Sequence, residues 1–185
     1  MTTSDTHPMF AKFDAMFDAT NSDGNGYINW QDYERLVDRF LSAYKIDKAD
    51  ERAQKLVHAY ISYWADLEHR TTHSDDGLDR EQFRLANFGL SRDTDSHYKV
   101  EGIAEAVFGL MAADGGNSIG PSEFRGLAQA WSLDEKEASW VFHELDTDGD
   151  SQISRSEFVR AVREFFTSVD PNIPGRLILV GRRHA

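Results

Sequence analysis

The chain has 185 residues, enough to bury a substantial core, and its 40% hydrophobic and 12% aromatic content argues against disorder. Its 32 acidic residues outnumber 20 basic ones, and the formal net charge of −12 makes nucleic acid and anionic membranes poor partners and cations good ones. Cysteine is absent, which excludes disulfides, thiolate metal sites and cysteine nucleophiles.

The first five residues are polar and lack the basic start and apolar run of a secretory signal, and no apolar stretch approaches transmembrane length. We therefore expect a cytoplasmic protein. Four segments then repeat along the chain, aligned on an aliphatic residue at Ile28, Leu78, Ile119 and Ile153. They define candidate loops at 21–32, 71–82, 112–123 and 146–157, each between helical patterns.

The first loop, 21–32, matches a calcium loop, in which a twelve-residue segment supplies oxygens from positions 1, 3, 5, 7, 9 and 12. The predicted ligands are Asn21, Asp23, Asn25, the Tyr27 carbonyl, Asn29 and Asp32. Only two of these side chains are carboxylates, so we expect a weak site. Because Asp32 is shorter than glutamate, bidentate closure is harder and magnesium can compete. The alternative is a polar turn between helices.

Helical stripes flank this loop. Phe10, Phe13 and Phe17 precede it, and Tyr33, Leu36, Val37 and Phe40 follow it at helical spacing. After a break around residues 42–48, Asp50 can cap a long third helix. Its predicted buried residues are Val57, Ile61, Trp64 and Leu67.

The second loop, 71–82, carries Thr71, His73 and Gln82 at the positions of the main ligands, so it cannot assemble a calcium site. We expect it to be structural, pairing Leu78 with Ile28. His69 and His73 are four residues apart, but no third ligand accompanies them, and we interpret them as solvated histidines. A polar segment, 91–96, then separates the two halves.

The third loop, 112–123, has Asp114 and Glu123 in place but Ala112 and Gly116 where two further ligands belong. A pairing role is the favoured interpretation, with Asn117 at the turn position that needs a positive φ. Residues 116–120 also match the GxSxG nucleophile pattern. We interpret the match as coincidental, because a helix precedes it and Gly120-Pro121 follows the serine closely.

The fourth loop, 146–157, is the strongest site. A capping box at 132–135 is predicted to start the helix that leads into it. Its predicted ligands are Asp146, Asp148, Asp150, the Gln152 carbonyl, Ser154 and Glu157. Ser151 replaces the usual glycine at position 6 and must adopt a positive φ, which weakens binding without abolishing it. An acidic solvated turn is the alternative.

After the last helix, residues 176–180 are too apolar to remain in water. We expect this tail to fold back over a groove of the core, the kind of groove that would otherwise accept a target helix.

Four helix-loop-helix units with a degraded second loop, a long third helix and an apolar tail resemble the sarcoplasmic calcium-binding proteins and their bacterial relative calerythrin. The resemblance rests on loop 21–32 with Asp32, on loop 146–157 and on the step of about fifty residues between the first two loops. It implies an all-α fold of four EF-hands in two packed pairs, at 1–92 and 93–169, with a tail at 170–185. The family fills loops one, three and four, but Ala112 and Gly116 here do not justify a third ion.

Three functions remain open. The first is calcium buffering with two ions and no catalysis, in a monomer without nucleic-acid or membrane partners. The second is a calcium sensor that binds a partner helix. The third, suggested by the related photoproteins and luciferin-binding proteins, is a small-molecule cavity lined by Trp30, Trp64, Trp131 and Trp140.

Overall fold

The computed structural model describes residues 7–72, 75–112, 115–170, 173 and 175–180. The first half contains α1 (Phe10–Thr20), β1 (Tyr27–Ile28), α2 (Trp30–Tyr44), α3 (Glu51–Arg70), β2 (Leu78–Asp79) and α4 (Arg80–Arg92). A 3-10 turn (Thr94–Ser96) leads to the second half, which contains α5 (His97–Met111), β3 (Ser118–Ile119), α6 (Pro121–Ala130), α7 (Glu135–Leu145), β4 (Ile153–Ser154) and α8 (Arg155–Thr167). A short helix, α9 (Gly175–Val180), follows.

The four loops associate in two pairs through short antiparallel strands. In the first pair Ile28 lies opposite Leu78, and in the second Ile119 lies opposite Ile153. All four side chains are buried, because they cap the core at the loop end of each pair. The predicted all-α fold of four helix-loop-helix units in two packed pairs is therefore confirmed, as is the pairing of the second loop with the first.

The core of the first half is strongly aromatic. Tyr33 on α2 packs against Tyr60, Tyr63 and Trp64 on α3, and Phe17 on α1 packs edge-on against Phe83 on α4. Of the four residues predicted to be buried on α3, Trp64 and Leu67 are buried, whereas Val57 is half-buried and Ile61 is 46% exposed. The buried aliphatic and aromatic residues of this helix are Ala53, Leu56, Tyr60, Tyr63, Trp64 and Leu67. The three aromatic rings decide which face turns inward, because they bury more apolar area than Val57 and Ile61 do.

Two local predictions about the second half were wrong. The helix α7 is capped by Asp134, whose side chain accepts from the Glu137 amide, while Ser132 lies outside the helix at φ 56°. The box is thus shifted by two residues, because a carboxylate at 134 can receive two amides at once. In the third loop Asn117 does not adopt the positive φ predicted for it. Gly115 does, at the position that corresponds to Gly24 and Gly149, so this loop keeps the first turn of the intact loops but not the second.

The tail returns to the body of the molecule. The helix α9 packs against α1 and α8, with Ile178 and Val180 buried in the core. The approach is close: a Cβ atom at Gly175 would lie 2.0 Å from the Ala161 carbonyl oxygen of α8. Glycine is therefore required where the tail meets α8.

Across the part of the chain that the structure describes, no helix combines the length and the hydropathy of a transmembrane span.

Candidate metal centre

The fourth loop brings three carboxylates together. The helix α7 ends at Leu145, so Asp146 begins the loop, and α8 starts at Arg155, so Glu157 lies in its first turn. Oxygens of Asp146, Asp148 and Glu157 all lie within 4.8 Å of one another. Three hard anionic oxygens at this spacing fit a divalent cation such as calcium, which binds carboxylate oxygens at about 2.3–2.6 Å.

The side chain of Asp146 organises the loop backbone. Its Oδ1 accepts hydrogen bonds from the amides of Gly149 (2.8 Å) and Asp150 (3.1 Å), and its Oδ2 accepts one from Ser151 (2.9 Å). Ser151 has φ 67°, the left-handed conformation expected at the sharp turn. The carboxylate of Asp146, the predicted first ligand, is therefore held in place by backbone amides that the turn directs toward the loop interior.

Glu157 is buried and fully hydrogen-bonded. Its Oε1 accepts from the amide (2.8 Å) and hydroxyl (2.6 Å) of Thr147, and its Oε2 accepts from the amide (2.8 Å) and hydroxyl (2.7 Å) of Ser154. Burial opposes ionisation, but the hydrogen bonds from Thr147 and Ser154 outweigh it and lower the pKa of Glu157 to about 2. The carboxylate is therefore charged at neutral pH.

The remaining predicted ligands of this loop lie around the cluster. Asp150 is exposed and accepts the Gln152 amide at 2.8 Å, while Asp148 accepts the Asp150 amide at 3.2 Å. The Gln152 side chain receives the hydroxyl of Ser118 from the paired loop. Ser154 caps α8 and is bonded to Glu157. The carboxylate of Asp150 is not within the three-carboxylate group.

In the first loop an arginine lies between the two carboxylates. The buried Asp32 accepts the Asn29 amide at Oδ2 (2.9 Å) and Nη2 of Arg35 at Oδ1 (2.5 Å). The same Nη2 lies 2.8 Å from Asp23, and Nε of Arg35 donates to the Ser22 hydroxyl at 3.0 Å. Sequence reasoning missed Arg35. The signal was its position three residues after Asp32, on the same face of the helix.

The other predicted residues of the first loop close its turn. Asn25 accepts the Tyr27 amide at 2.8 Å, and Asn25 in turn donates its own amide to Asp23 at 3.1 Å. The side-chain amide of Asn21 lies 3.2 Å from the Gly26 backbone nitrogen, and Gly26 has φ 88°. Asn21, Asp23 and Asn25 therefore surround the loop interior, with Tyr27 at its edge on β1.

The second and third loops have other roles. Gln82 completes the capping box of α4 with Asp79, and Gly77 lies against the Ile28 carbonyl, where a Cβ would be 2.2 Å away. The predicted positions at His73 and Asp114 lie outside the described residues. Glu123 caps α6 and accepts from Ser122 (2.8 Å), and Ala112 is buried in the core.

A small cavity in the core has only one of the four tryptophans predicted to line a pocket. It has a volume of about 20 Å³ and includes Trp131, Tyr33 and Tyr63 in its lining, but not Trp30, Trp64 or Trp140. Trp140 is 48% exposed on the surface of α7. A space of this size holds about one water molecule, because larger side chains fill the interior.

Comparison with known families agrees with this geometry. The model of the EF-hand domain pair matches residues 11–39 and 114–164, which contain the first and fourth loops and most of the third. The two matched segments are EF-hands, and the chain resembles EF-hand calcium-binding proteins. Proteins of this kind are generally not enzymes.

Among individual proteins the chain resembles calerythrin of Saccharopolyspora erythraea, with 27% identity over 164 residues that cover 86% of this chain and 93% of calerythrin. A Streptomyces coelicolor calcium-binding protein has the same fold, with a TM-score of 0.73, 24% identity, and coverage of 88% of this chain and 99% of its own. Calcium-loaded apo-aequorin of Aequorea victoria also shares the fold, with a TM-score of 0.76, 14% identity, and coverage of 90% and 94%. The resemblance predicted from the loop pattern is thus confirmed.

Proposed function

We propose that the protein is an intracellular calcium buffer that binds two ions and catalyses no reaction. The single observation that carries this proposal is the convergence of Asp146, Asp148 and Glu157 within 4.8 Å. A buffer needs sites that are selective for a hard cation and a body that changes little when they fill.

The tighter ion is assigned to loop 146–157 and the weaker ion to loop 21–32. The proposed ligands of the tighter ion are Asp146, Asp148, Asp150, the Gln152 carbonyl, Ser154 and Glu157, and those of the weaker ion are Asn21, Asp23, Asn25, the Tyr27 carbonyl and Asp32. Loop 146–157 offers four carboxylates and loop 21–32 offers two, and calcium affinity rises with the charge of the ligands. In loop 21–32 magnesium competes with calcium, because the Asp32 side chain is one methylene shorter than glutamate and binds through both oxygens less readily.

We assign each pair of loops to one unit, 1–92 and 93–169, with 170–185 as a tail. A buffer is favoured over a sensor because α9 already lies against α1 and α8, where a partner helix would otherwise find apolar surface. We propose a monomeric cytoplasmic protein; the net charge of −12 supports a monomer without nucleic-acid or membrane partners.

A sensor is the second candidate, for two reasons. The Streptomyces coelicolor relative is described as acting in prokaryotic calcium-mediated regulation. A groove of about 440 Å³ between α6 and α7, lined by Phe124, Leu133 and Phe142 among others, offers apolar surface to a partner. A dye that fluoresces on apolar surface separates the two: a large rise on adding calcium would favour the sensor, and an unchanged signal the buffer.

Calorimetric titration of the chelator-stripped protein tests the ion count. We expect two calcium sites, and we expect Asp146→Ala to abolish the tighter one. Glu144→Ala is the matched control, because it removes an exposed carboxylate just outside the loop and should leave both sites in place. A wild-type titration with one site or three would overturn the count of two.

A further inference from the structure

The guanidinium of Arg35 occupies the position between the two carboxylates of the first loop. We propose that Arg35 is an intramolecular cation that holds the ligands of loop 21–32 and must be displaced before a metal ion enters. This inference rests on the proposed function of that loop as the weaker calcium site, and it names the residue that sets its affinity.

The contacts use the oxygens that a metal needs. Nη2 of Arg35 lies 2.8 Å from Asp23 Oδ2 and 2.5 Å from Asp32 Oδ1. These are the only two carboxylates among residues 21–32. A guanidinium N–H and a divalent cation both bind the lone pairs of a carboxylate oxygen, so they cannot share one without competition.

Burial explains why Asp32 needs a partner when no ion is bound. Its side chain is 0% exposed, and among the described residues its second oxygen receives the Asn29 amide alone. A buried carboxylate without a counter-charge is strongly unfavourable, so the arginine stabilises the ion-free loop. Calcium binding then replaces the guanidinium with a metal ion, so the free energy of calcium binding is less favourable than it would be if the two carboxylates were unpaired.

The fourth loop carries the same residue type at the same offset with a different outcome. Arg160 also lies three residues after the last loop position, and its Nη2 donates to the Thr147 hydroxyl at 2.8 Å. Thr147 corresponds to Ser22, which receives Nε of Arg35. Glu157 is one methylene longer than Asp32, and both of its oxygens bond to Thr147 and Ser154 rather than to an arginine. The arginine is therefore excluded from the carboxylates of the fourth loop.

Arg35→Gln tests the proposal, with Arg160→Gln as the matched control. Both remove one positive charge at the same loop offset, but only the first frees ligand oxygens. A calcium titration followed by NMR resolves the loops through the amide of Gly26 in the first and that of Ser151 in the fourth. We expect Arg35→Gln to tighten the Gly26 transition by at least about tenfold, because the loop regains the full charge of two carboxylates. The Ser151 transition should stay unchanged. Arg160→Gln should leave the Gly26 transition unchanged.

Thermal unfolding supplies a second readout. Ion-free Arg35→Gln should melt at a lower temperature than the ion-free wild type, because Asp32 loses its counter-charge, and calcium should raise its melting temperature by more. If the glutamine variant does not fold, Arg35→Lys replaces it. Lysine keeps the charge but lacks the planar fork, so it should also tighten the Gly26 transition, by a smaller factor.

The outcomes separate the two proposals. Two wild-type sites with an unchanged Gly26 transition in the folded variants would overturn the role of Arg35 and leave the two-ion function standing. A Gly26 amide that responds to calcium only in the variants would support the role of Arg35 and remove the second ion from the native count. No response of Gly26 in any variant would overturn both.

Discussion

At the scale of single residues, the fourth loop depends on a serine in a left-handed conformation. Ser151 has φ 67° and donates its amide to Asp146. Its Cβ is strained there, whereas the corresponding residue of the first loop is Gly26, at φ 88°. The fourth loop thus has more carboxylates than the first loop, but its backbone is more strained at this turn.

Ser151→Gly should stabilise the protein by about 0.5–1 kcal/mol, because relief of the left-handed strain exceeds the added chain entropy of glycine. Urea unfolding of the ion-free protein measures this free energy. The control is Ser139→Gly, which changes an exposed position inside α7 and should destabilise by about 0.5–1 kcal/mol. Destabilisation of the same size in both variants would show that Ser151 carries no strain.

Lys12 is a second residue whose role follows from its surroundings. It is 1% exposed on α1, and its Nζ donates to the carbonyl oxygens of Phe165 (2.6 Å) and Ser168 at the end of α8. Burial lowers the pKa of Lys12 to about 8, against a smaller opposite effect of Asp170. The side chain therefore joins the first helix to the last long one at the cost of desolvating an ammonium group.

This pKa gives the stability a defined pH dependence. Below about pH 8 Lys12 is protonated in both states, and between the folded pKa of about 8 and the unfolded value of 10.5 the folded protein releases its proton first. The free energy of unfolding of the wild type should therefore rise with pH across this window relative to that of Lys12→Met. Urea unfolding at about pH 7.5 and about pH 9.5 measures the difference. Lys136→Met, at an exposed position, is the control and should follow the wild type at both values.

At the scale of elements, the docking of α9 depends on the absence of a side chain at Gly175. The helix lies against α1 and α8 and buries Ile178 and Val180. Since a Cβ at 175 would lie 2.0 Å from the Ala161 carbonyl oxygen, one methyl group is enough to move the helix away.

Gly175→Ala should destabilise the protein by about 2 kcal/mol through overpacking, and undocking of α9 should raise the fluorescence of a dye bound to apolar surface. The control is Gly109→Ala in α5, where no atom lies within 4 Å of the added methyl group. That variant should be neutral or stabilising, because alanine favours a helix over glycine by about 1 kcal/mol. An unchanged melting temperature and dye signal for Gly175→Ala would contradict the close contact.

At the scale of the whole molecule, a partly buried ionic network centred on the buried Asp66 joins the two halves. Asp66 on α3 pairs with Arg70 on α3 and with Lys99 on α5. Arg70 continues to Asp93 (2.6 Å) and Ser96 (2.9 Å) in the connection between the halves. Burial opposes ionisation of Asp66, but Arg70 and Lys99 together keep the pKa of Asp66 below its ordinary value.

Asp66→Asn should destabilise the protein by about 3 kcal/mol, because Arg70 and Lys99 would keep their charges while losing a shared buried partner. Thermal and urea unfolding measure the loss. Glu51→Gln removes an exposed charge paired with Lys55 on the same helix and should leave stability almost unchanged, because solvent screens a surface pair. Equal effects of the two substitutions would mean that the network contributes no more than a surface pair.

The positions of the four loops, their pairing and the three carboxylates of the fourth could all be predicted from the sequence. Each depends on local spacing: oxygen donors at alternate positions, an aliphatic residue at the eighth position, and helical stripes on both sides. The same reasoning identified the degraded second loop. It failed at Ile61 and at the start of α7, where several residues compete for one face or one cap.

The sequence by itself determined which segments form EF-hands and which of them retain the oxygens for calcium, because a loop's ligands are neighbours in the chain. Only the tertiary structure decided which side chains pair with the predicted ligands and how the units are joined. Arg35 pairs with Asp23 and Asp32, whereas Arg160 donates to the Thr147 hydroxyl. Lys12 on α1 donates to a carbonyl oxygen at the end of α8, far away in the sequence. Such choices depend on distances between side chains after folding, and residue spacing carries no information about them.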